Sequence, residues 1–333
     1  MHIKPTLKFI DLFAGIGGFR TGFTNAGYEC IFSSEINTSA QTTYSINYQE
    51  IPYGDVRSIK GDLIDNFDIL IAGFPCQPFS ISGHKKGFED TRGTLFFEIC
   101  RLVKEKNPNV IVLENVKHLL HHNKGETFDV ILESLKSLGY LVSWKILNAS
   151  NFSVPQSRER IIIVANNKGL HFDFNLMNIS PAQTMRNYLD KEGDFEYLNP
   201  TEYTLIPSPI RQKSGLIFNG YLNKNLRKNG VLPNSEHMSR AHKQNNRIYS
   251  VDGIHPTISS QESSGRFYIY FPCTGKVRKL TIQECYRFMG FPDSFIRSGS
   301  LSNQYKQIGN SVCIPMIEEI ANQVKLQLLM PRR

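Results

Sequence analysis

The sequence predicts a doubly wound α/β domain on a mostly parallel sheet, with a smaller, irregular β-rich domain behind it. Three observations predict this. Short apolar strands alternate with helical stretches through the first half, and the alternation stops near residue 175. Residues 205–280 carry twelve Lys/Arg against three acids, a local excess of nine in a chain whose total is +8. The remainder therefore nets −1, and the whole basic excess sits in one segment.

The elements follow in order. Residues 7–13 form an apolar strand; Gly15, Gly17 and Gly18 follow, then a helix to Ala26-Gly27. A second strand, 28–33, leads to Glu35, and a third short element ends at Gly54-Asp55-Val56. The strongly apolar run 67–73 enters Phe74-Pro75-Cys76. A helix over 95–104 precedes strand 110–113, which ends at Glu114-Asn115. Helical periodicity covers 128–138, and strands 140–147 and 160–165 close the series. Continuous apolar strands separated by helices are buried on both faces, as in a parallel sheet. Ligands of such sheets sit at the carboxyl ends of the strands.

Residues 186–275 are rich in Asn, Ser, Gly and Pro, with short β-like pieces such as 266–271. Aromatics interleave with the bases there, which points to a nucleic-acid-binding module rather than a solvated face. Helical periodicity returns at 280–289, and a last helix, 315–330, is long enough to rejoin the first domain. These readings divide the chain into 1–187 plus 305–333, a recognition domain at 188–277, and a hinge region at 278–304.

Composition narrows the class. The chain has 333 residues, 40% of them apolar and 20% charged, with a mean hydropathy of −0.29 and a pI near 9.1. That suits a folded water-soluble protein and excludes disorder as the main state. No stretch approaches the roughly 18 apolar residues of a membrane helix, and the N-terminus lacks a secretion signal. The six cysteines form no CxxC pair, so no zinc ribbon or dithiol redox site is written, and no metal is expected.

Two strand ends carry chemistry. In Asp11-Leu-Phe-Ala-Gly-Ile-Gly-Gly-Phe19 a strand, a glycine turn and a helix start coincide, and such turns let a ligand approach the backbone. Gly15 and Gly17 fit the dinucleotide spacing, but Arg20 stands where its third glycine belongs, which argues against a dinucleotide. Glu35 suits two ribose hydroxyls and Asp55 an adenine amino group. A nucleoside without a pyrophosphate points to S-adenosylmethionine. At the other end, Cys76 follows a central buried strand, where helix dipoles lower a thiol pKa below about 8.5. Glu114 ends the next strand, and Gln156-Ser-Arg158-Glu-Arg160 brings guanidinium groups.

These motifs resemble the cytosine-C5 DNA methyltransferases, of the compact bacterial modification type. The likeness rests on DLFAGIGGF, GFPCQPFS, ENV, QSRER, RKLTIQECYRFMGFP and QIGNSVCIPM in order, and covers nearly the whole chain outside the middle of the second domain. It implies a Rossmann-like, class I S-adenosylmethionine-dependent methyltransferase fold. It also implies that Cys76 attacks C6 of a flipped cytosine, activating C5 towards the methyl donor. Glu114, carrying or sharing a proton, would bond the N3 side; Arg158 would stabilise charge at O2 and orient Glu114, with Arg160 in support. The resemblance assigns Phe13, Ala14, Gly15, Ile16, Gly18, Glu35, Ile36, Asp55, Val56, Pro75, Leu95, Asn310 and Ser311 to the cofactor. Ile36 replaces the aromatic that many relatives carry. Residues 77–94 would form a lid over DNA, hinged at Gly83, Gly87 and Gly93, with Lys85 and Lys86 towards phosphates. Ser80, Ser82, Gln244, Arg247 and Thr257 would contact DNA.

The expected product is S-adenosylhomocysteine and the partner duplex DNA. The chain is expected to act as a monomer in the bacterial cytoplasm, at the nucleoid, with a restriction endonuclease as genetic partner. Amino-methylating enzymes need a Pro-Pro-aromatic signature, and the chain has no Pro-Pro; tRNA enzymes of this fold carry Cys-Phe-Thr, also missing. A silent regulator would be expected to lose Cys76, Glu114 or Arg158.

Overall fold

Strand β1 (Lys8–Leu12) is where the chain first turns both ways. It pairs in parallel with β2 (Glu29–Ser34) on one side and with β3 (Ile69–Gly73) on the other. Strands β4 (Val110–Val116), β7 (Glu159–Asn166) and β5 (Leu141–Asn148) complete a six-stranded sheet in the order β2-β1-β3-β4-β7-β5. The computed structural model describes residues 6–75, 95–181, 184–223, 235, 238, 241–260 and 268–330.

The expected sheet is present with two differences. Strand β7 runs antiparallel to both β4 and β5, because the ten residues between β5 and β7 are too few for a crossover helix. The element expected before Gly54-Asp55-Val56 is a single bridge, Ser34 to Tyr53, rather than a strand.

Both faces of the sheet are covered. Ile10, Leu12, Leu70, Ala72, Ile111 and Leu113 pack with helices α3 (Leu95–Lys106) and α4 (Glu126–Ser137). Helix α1 (Gly18–Asn25) packs against α7 (Ile314–Val324) so closely that a Cβ on Gly22 would lie 2.7 Å from Ile317. The returning C-terminal helix thus completes the domain that the N-terminus begins. Its α-helical part ends at Val324 and the helix continues in the wider π form over Lys325–Leu329, close to the expected 315–330.

The chain divides into two compact units. The first comprises Met1–Asn148, Glu159–Ile179 and Ser311–Arg333; the second comprises Ala149–Arg158 and Ser180–Asn310. In the second, β8 (Tyr203–Arg211), β9 (Ile217–Leu222), β10 (Arg247–Ser250), β12 (Tyr268–Phe271) and β13 (Lys276–Lys279) form a sheet ordered β13-β12-β10-β9-β8. Leu222, Ile248, Tyr268 and Val277 form a buried cluster on this sheet, flanked by Leu205 and Tyr270. Two-residue strands β6 (Gln156–Ser157) and β11 (His255–Pro256) pair beside it. Helix α5 (Ile282–Arg287) starts in a capping box between Thr281 and Glu284. Helix α6 (Leu301–Asn310) is capped by Ser300, whose Oγ accepts the Asn303 N–H at 3.2 Å.

Not all of the basic excess faces outward. Arg278 is buried against Glu284, and Arg247 is half-buried with its guanidinium on the His242 carbonyl.

Candidate active site

The chain leaves the carboxyl end of β1 for β2 on one side and the carboxyl end of β3 for β4 on the other, which leaves a crevice between β1 and β3 at a topological switch point. The glycine turn opens from β1 there. Phe13 enters it with φ +59°, a left-handed conformation that costs a bulky residue about 1–3 kcal/mol and marks a functional constraint. Gly15 and Gly17 are also left-handed, at φ +57° and +86°. A Cβ on Gly15 would meet nothing within 4 Å among the described residues, so that side of the turn is open to a ligand. Gly18 is the reverse case: a Cβ there would lie 2.6 Å from Ser311 Oγ and 2.9 Å from Val312. The structure thus brings Ser311, from the far end of the chain, onto the turn.

Glu35 closes the other side. Its Oε2 accepts the Gly15 N–H at 2.8 Å and its Oε1 the Asn37 N–H at 2.7 Å. The carboxylate keeps lone pairs for further donors. Asp55 caps the short turn over Val56–Ser58, accepting the Arg57 N–H at 3.0 Å. The Arg57 guanidinium also grips it, and these bonds hold its carboxyl below the usual range. Val56 is buried, Ile36 is 64% exposed, Leu95 is half-buried and Pro75 is exposed. An open turn, a ribose-ready acid and a second acid fit a nucleoside cofactor. Ala14 and Ile16 are buried within the turn, and Asn310 is an exposed terminal residue of α6 in the second unit.

Beneath the turn lies Asp11, in register with Ser33 and Ile71. It is fully buried, and among the described residues no donor lies within ordinary hydrogen-bond geometry of either carboxyl oxygen. Burial raises its pKa well above the ordinary carboxylate range, against the opposing pull of Arg20. An acid whose pKa is raised on folding stabilises fully below its unfolded value, near 3.9, and loses that contribution as pH rises towards the folded value. Asp11→Asn should therefore gain on the parent chain as pH increases from about 4. Chemical denaturation of both at several pH values checks this; a difference independent of pH rules it out.

The reacting end forms where β3 and β4 stop. Gly73 and Glu114 are register partners, and a Cβ on Gly73 would lie 3.6 Å from Glu114 Oε2. Glu114 is 8% exposed, and its Oε1 meets Arg160 Nε at 2.9 Å. The antiparallel register explains the pair. Glu114 faces Ile162 and Val116 faces Arg160, so Arg160 is the diagonal neighbour on the same face of the sheet. Asn115 contributes what the sequence reading missed: its Nδ2 donates to the Phe74 carbonyl at 2.8 Å, fixing the backbone two residues before Cys76. The Asn in Glu-Asn-Val was the available signal. Cys76, Ser80, Ser82 and the expected lid at 77–94 lie outside the described residues.

Arg158, expected to orient Glu114, belongs to the second unit and is 2% exposed. Its terminal nitrogens donate to the carbonyls of Ile258 at 3.1 Å and Gly309 at 2.9 Å. Gln156 engages the same stretch, accepting the Ile258 N–H at 3.0 Å. Thr257 donates to the Ser157 carbonyl at 2.8 Å. Gln244 is exposed at the start of a short turn, and Arg247 closes that turn through Nε and Nη2 on the His242 carbonyl, at 3.1 and 2.9 Å.

Comparison with known proteins bears on this arrangement. The C-5 cytosine-specific DNA methylase family matches residues 7–326. The chain is 37% identical over 334 residues to the Type II methyltransferase M.HhaI of Haemophilus parahaemolyticus, covering 96% of this chain and 94% of that protein. It is 40% identical over 326 residues to M.HaeII of Haemophilus aegyptius, with 98% and 95% covered. Among solved structures, S. pombe Dnmt2 methyltransferase aligns with a TM-score of 0.70 at 18% identity, over 98% of this chain and all of that one. A putative DNA modification methyltransferase from an E. coli prophage aligns with a TM-score of 0.67 at 21% identity, covering 98% of this chain and 100% of that one. These structural likenesses show the fold. A shared sequence over almost its full length, with an acid, an arginine and a glycine turn at adjoining strand ends, makes this chain a member of the C-5 cytosine-specific DNA methylase family.

Proposed function

We propose that the chain methylates C5 of cytosine within a specific duplex sequence, with Cys76 as nucleophile, Glu114 as the group that bonds the N3 side of the base, Arg158 as the group that stabilises charge at O2 and orients Glu114, and Arg160 as the residue that supports Glu114. The observation that carries this assignment is Glu114 set over Gly73 and paired with Arg160 at 2.9 Å, on the strand beside the one that leads to Cys76.

Cytosine C5 is too weak a nucleophile to take a methyl group unaided. The Cys76 thiolate adds to C6, and the C5–C6 electron pair moves towards N3 and O2. Glu114 donates its proton's hydrogen bond at N3 as that charge grows, and Arg160 keeps its carboxyl aimed. S-adenosylmethionine, when bound, would supply an electrophilic methyl carbon: C5 would take it as the sulfonium S–CH3 bond breaks, leaving S-adenosylhomocysteine. Water then takes the C5 proton, the pair returns to C5–C6, and the Cys76 thiolate is expelled. Glu35 holds the ribose, Asp55 the adenine amino group, and the Gly15 turn admits the cofactor beside Phe13, Val56, Pro75, Leu95 and Ser311.

The base must leave the helix for C6 to be reached, at a cost of a few kcal/mol. Gln244 and Ser82 are the side chains proposed to fill the gap, with Ser80, Arg247 and Thr257 on the backbone. The second unit reads the target sequence through base edges. The enzyme works as a monomer in the bacterial cytoplasm, at the nucleoid, protecting host DNA from a cognate restriction endonuclease.

Incubation with tritiated S-adenosylmethionine and mixed-sequence duplex tests the reading. Label is expected at C5 of cytosine; label at N4, or in tRNA instead of DNA, overturns it. Cys76→Ser is expected to abolish transfer while cofactor binding persists, and duplex containing 5-fluorocytosine should trap a covalent adduct with the parent enzyme. Unaltered turnover by Cys76→Ser removes the thiol from the mechanism.

A further inference from the structure

Arg20 occupies the place of a dinucleotide fold's third glycine, and the structure shows what it does there. Its guanidinium lies 4.8 Å from the ring centre of Tyr48 and 5.5 Å from that of Tyr44, both on helix α2 (Thr38–Tyr48). Its Nη1 donates to the Tyr44 hydroxyl at 2.9 Å and pairs with Glu50 Oε1 at 2.6 Å. That carboxyl oxygen also accepts the Ser33 hydroxyl of β2 at 2.8 Å. The cation therefore ties α1, α2 and β2 into one partly buried cluster, and it fixes the Tyr48 ring.

The Tyr48 ring leads to the turn. Its hydroxyl lies 2.8 Å from the Gly17 carbonyl, and the Thr21 hydroxyl lies 3.0 Å from the same oxygen. The two hydroxyls are 2.6 Å apart. Two protons serve three contacts, so one hydroxyl donates to the carbonyl and the other donates to that hydroxyl. The ring is so close that a Cβ on Gly17 would lie 2.2 Å from it. Gly17 is the N-cap of α1, at φ +86°, and its peptide carries the left-handed turn that presents Gly15.

We infer that Tyr48 and Thr21 are positioning residues for the cofactor turn, acting through the Gly17 carbonyl. The inference rests on the cofactor reading above. Neither hydroxyl touches reacting atoms in the proposed mechanism. What they hold is the conformation of a turn rich in glycine, whose freedom otherwise has to be lost when a ligand binds.

Titration calorimetry with S-adenosylmethionine, beside steady-state kinetics, tests it. A net hydrogen bond is worth about 0.5–1.5 kcal/mol, so Tyr48→Phe and the near-isosteric Thr21→Val are each expected to weaken binding by about two- to tenfold. The double variant should depart from the product of the two, because the hydroxyls form one hydrogen-bonded chain that ends on the Gly17 carbonyl. KM for the cofactor should rise in parallel, with kcat at saturation unchanged within about twofold. Variants that bind as the parent does overturn the inference, including the case in which only the melting temperature falls. A parent chain with no affinity for S-adenosylmethionine is a different failure: it removes the cofactor reading, and this inference with it.

Discussion

Glu114→Ala is expected to lower kcat by about 10²–10³-fold, the usual loss when one preorganised group facing developing charge is removed. The carboxyl is 8% exposed and fixed by Arg160 at 2.9 Å, so its hydrogen bond forms in a site with little competing water. Cofactor affinity should change little, because Glu35, Asp55 and the glycine turn are untouched. The loss should therefore appear in single-turnover methyl incorporation at saturating cofactor and DNA, and equally in the rate of adduct formation with 5-fluorocytosine duplex. A drop in kcat of less than tenfold would leave Glu114 without the role assigned to it. Arg160→Ala should show a weaker version of the same defect, since it removes the aim of the carboxyl but not the carboxyl itself.

The largest effect on stability is expected from Glu284→Ala. Arg278 and Glu284 pair at 2.7 Å with side chains 1% and 0% exposed. Arg278 also lies 4.1 Å from the Phe195 ring centre and 5.1 Å from that of Phe271, so without Glu284 its charge has no water to turn to. Breaking a buried pair on one side costs about 3–5 kcal/mol. The same substitution ends the capping box of α5 and strips the Asp190 N–H of its acceptor. Hydrogen exchange at β12 and β13 is the appropriate measurement, because it reads the stability of their own unit. Protection there should fall by about 10²–10³-fold or more. Replacing both partners, as in Arg278→Met with Glu284→Leu, should recover much of the loss. Protection unchanged in the single variant would show that the pair contributes nothing to that unit.

Much of the fold was legible because its signals are local. Apolar runs such as 69–72 and 110–113, buried along their whole length, are short and flanked by turn residues, which reads as strands covered on both sides. The glycine turn was legible for the same reason: Gly15 and Gly17 adopt the left-handed backbone that only glycine takes without strain. Phe13 was not legible in this respect, since nothing in its neighbours signals that a phenylalanine will be held at positive φ. Helix α6 was overlooked although Leu301, Tyr305 and Ile308 stand at i, i+4 and i+7, because the other seven of its ten residues are polar or glycine and the stripe is one residue wide. The direction of β7 could have been inferred from the short connection before it, but apolar content alone does not encode strand direction.

At the site, the chemistry proposed here was already legible in the sequence: a cysteine and a glutamate at the ends of successive apolar strands, arginines at the start of the last one, and two acids that the sequence reading assigns to a nucleoside. Residue types and their spacing carry that information. Only the three-dimensional structure shows Arg160 against Glu114, because the register of β4 with β7 makes it the diagonal neighbour of that acid. It also decided that Arg20 holds α1, α2 and β2 together, through Glu50, Tyr44 and Tyr48. Such partnerships depend on where distant backbones cross, and no local pattern of side chains specifies that crossing.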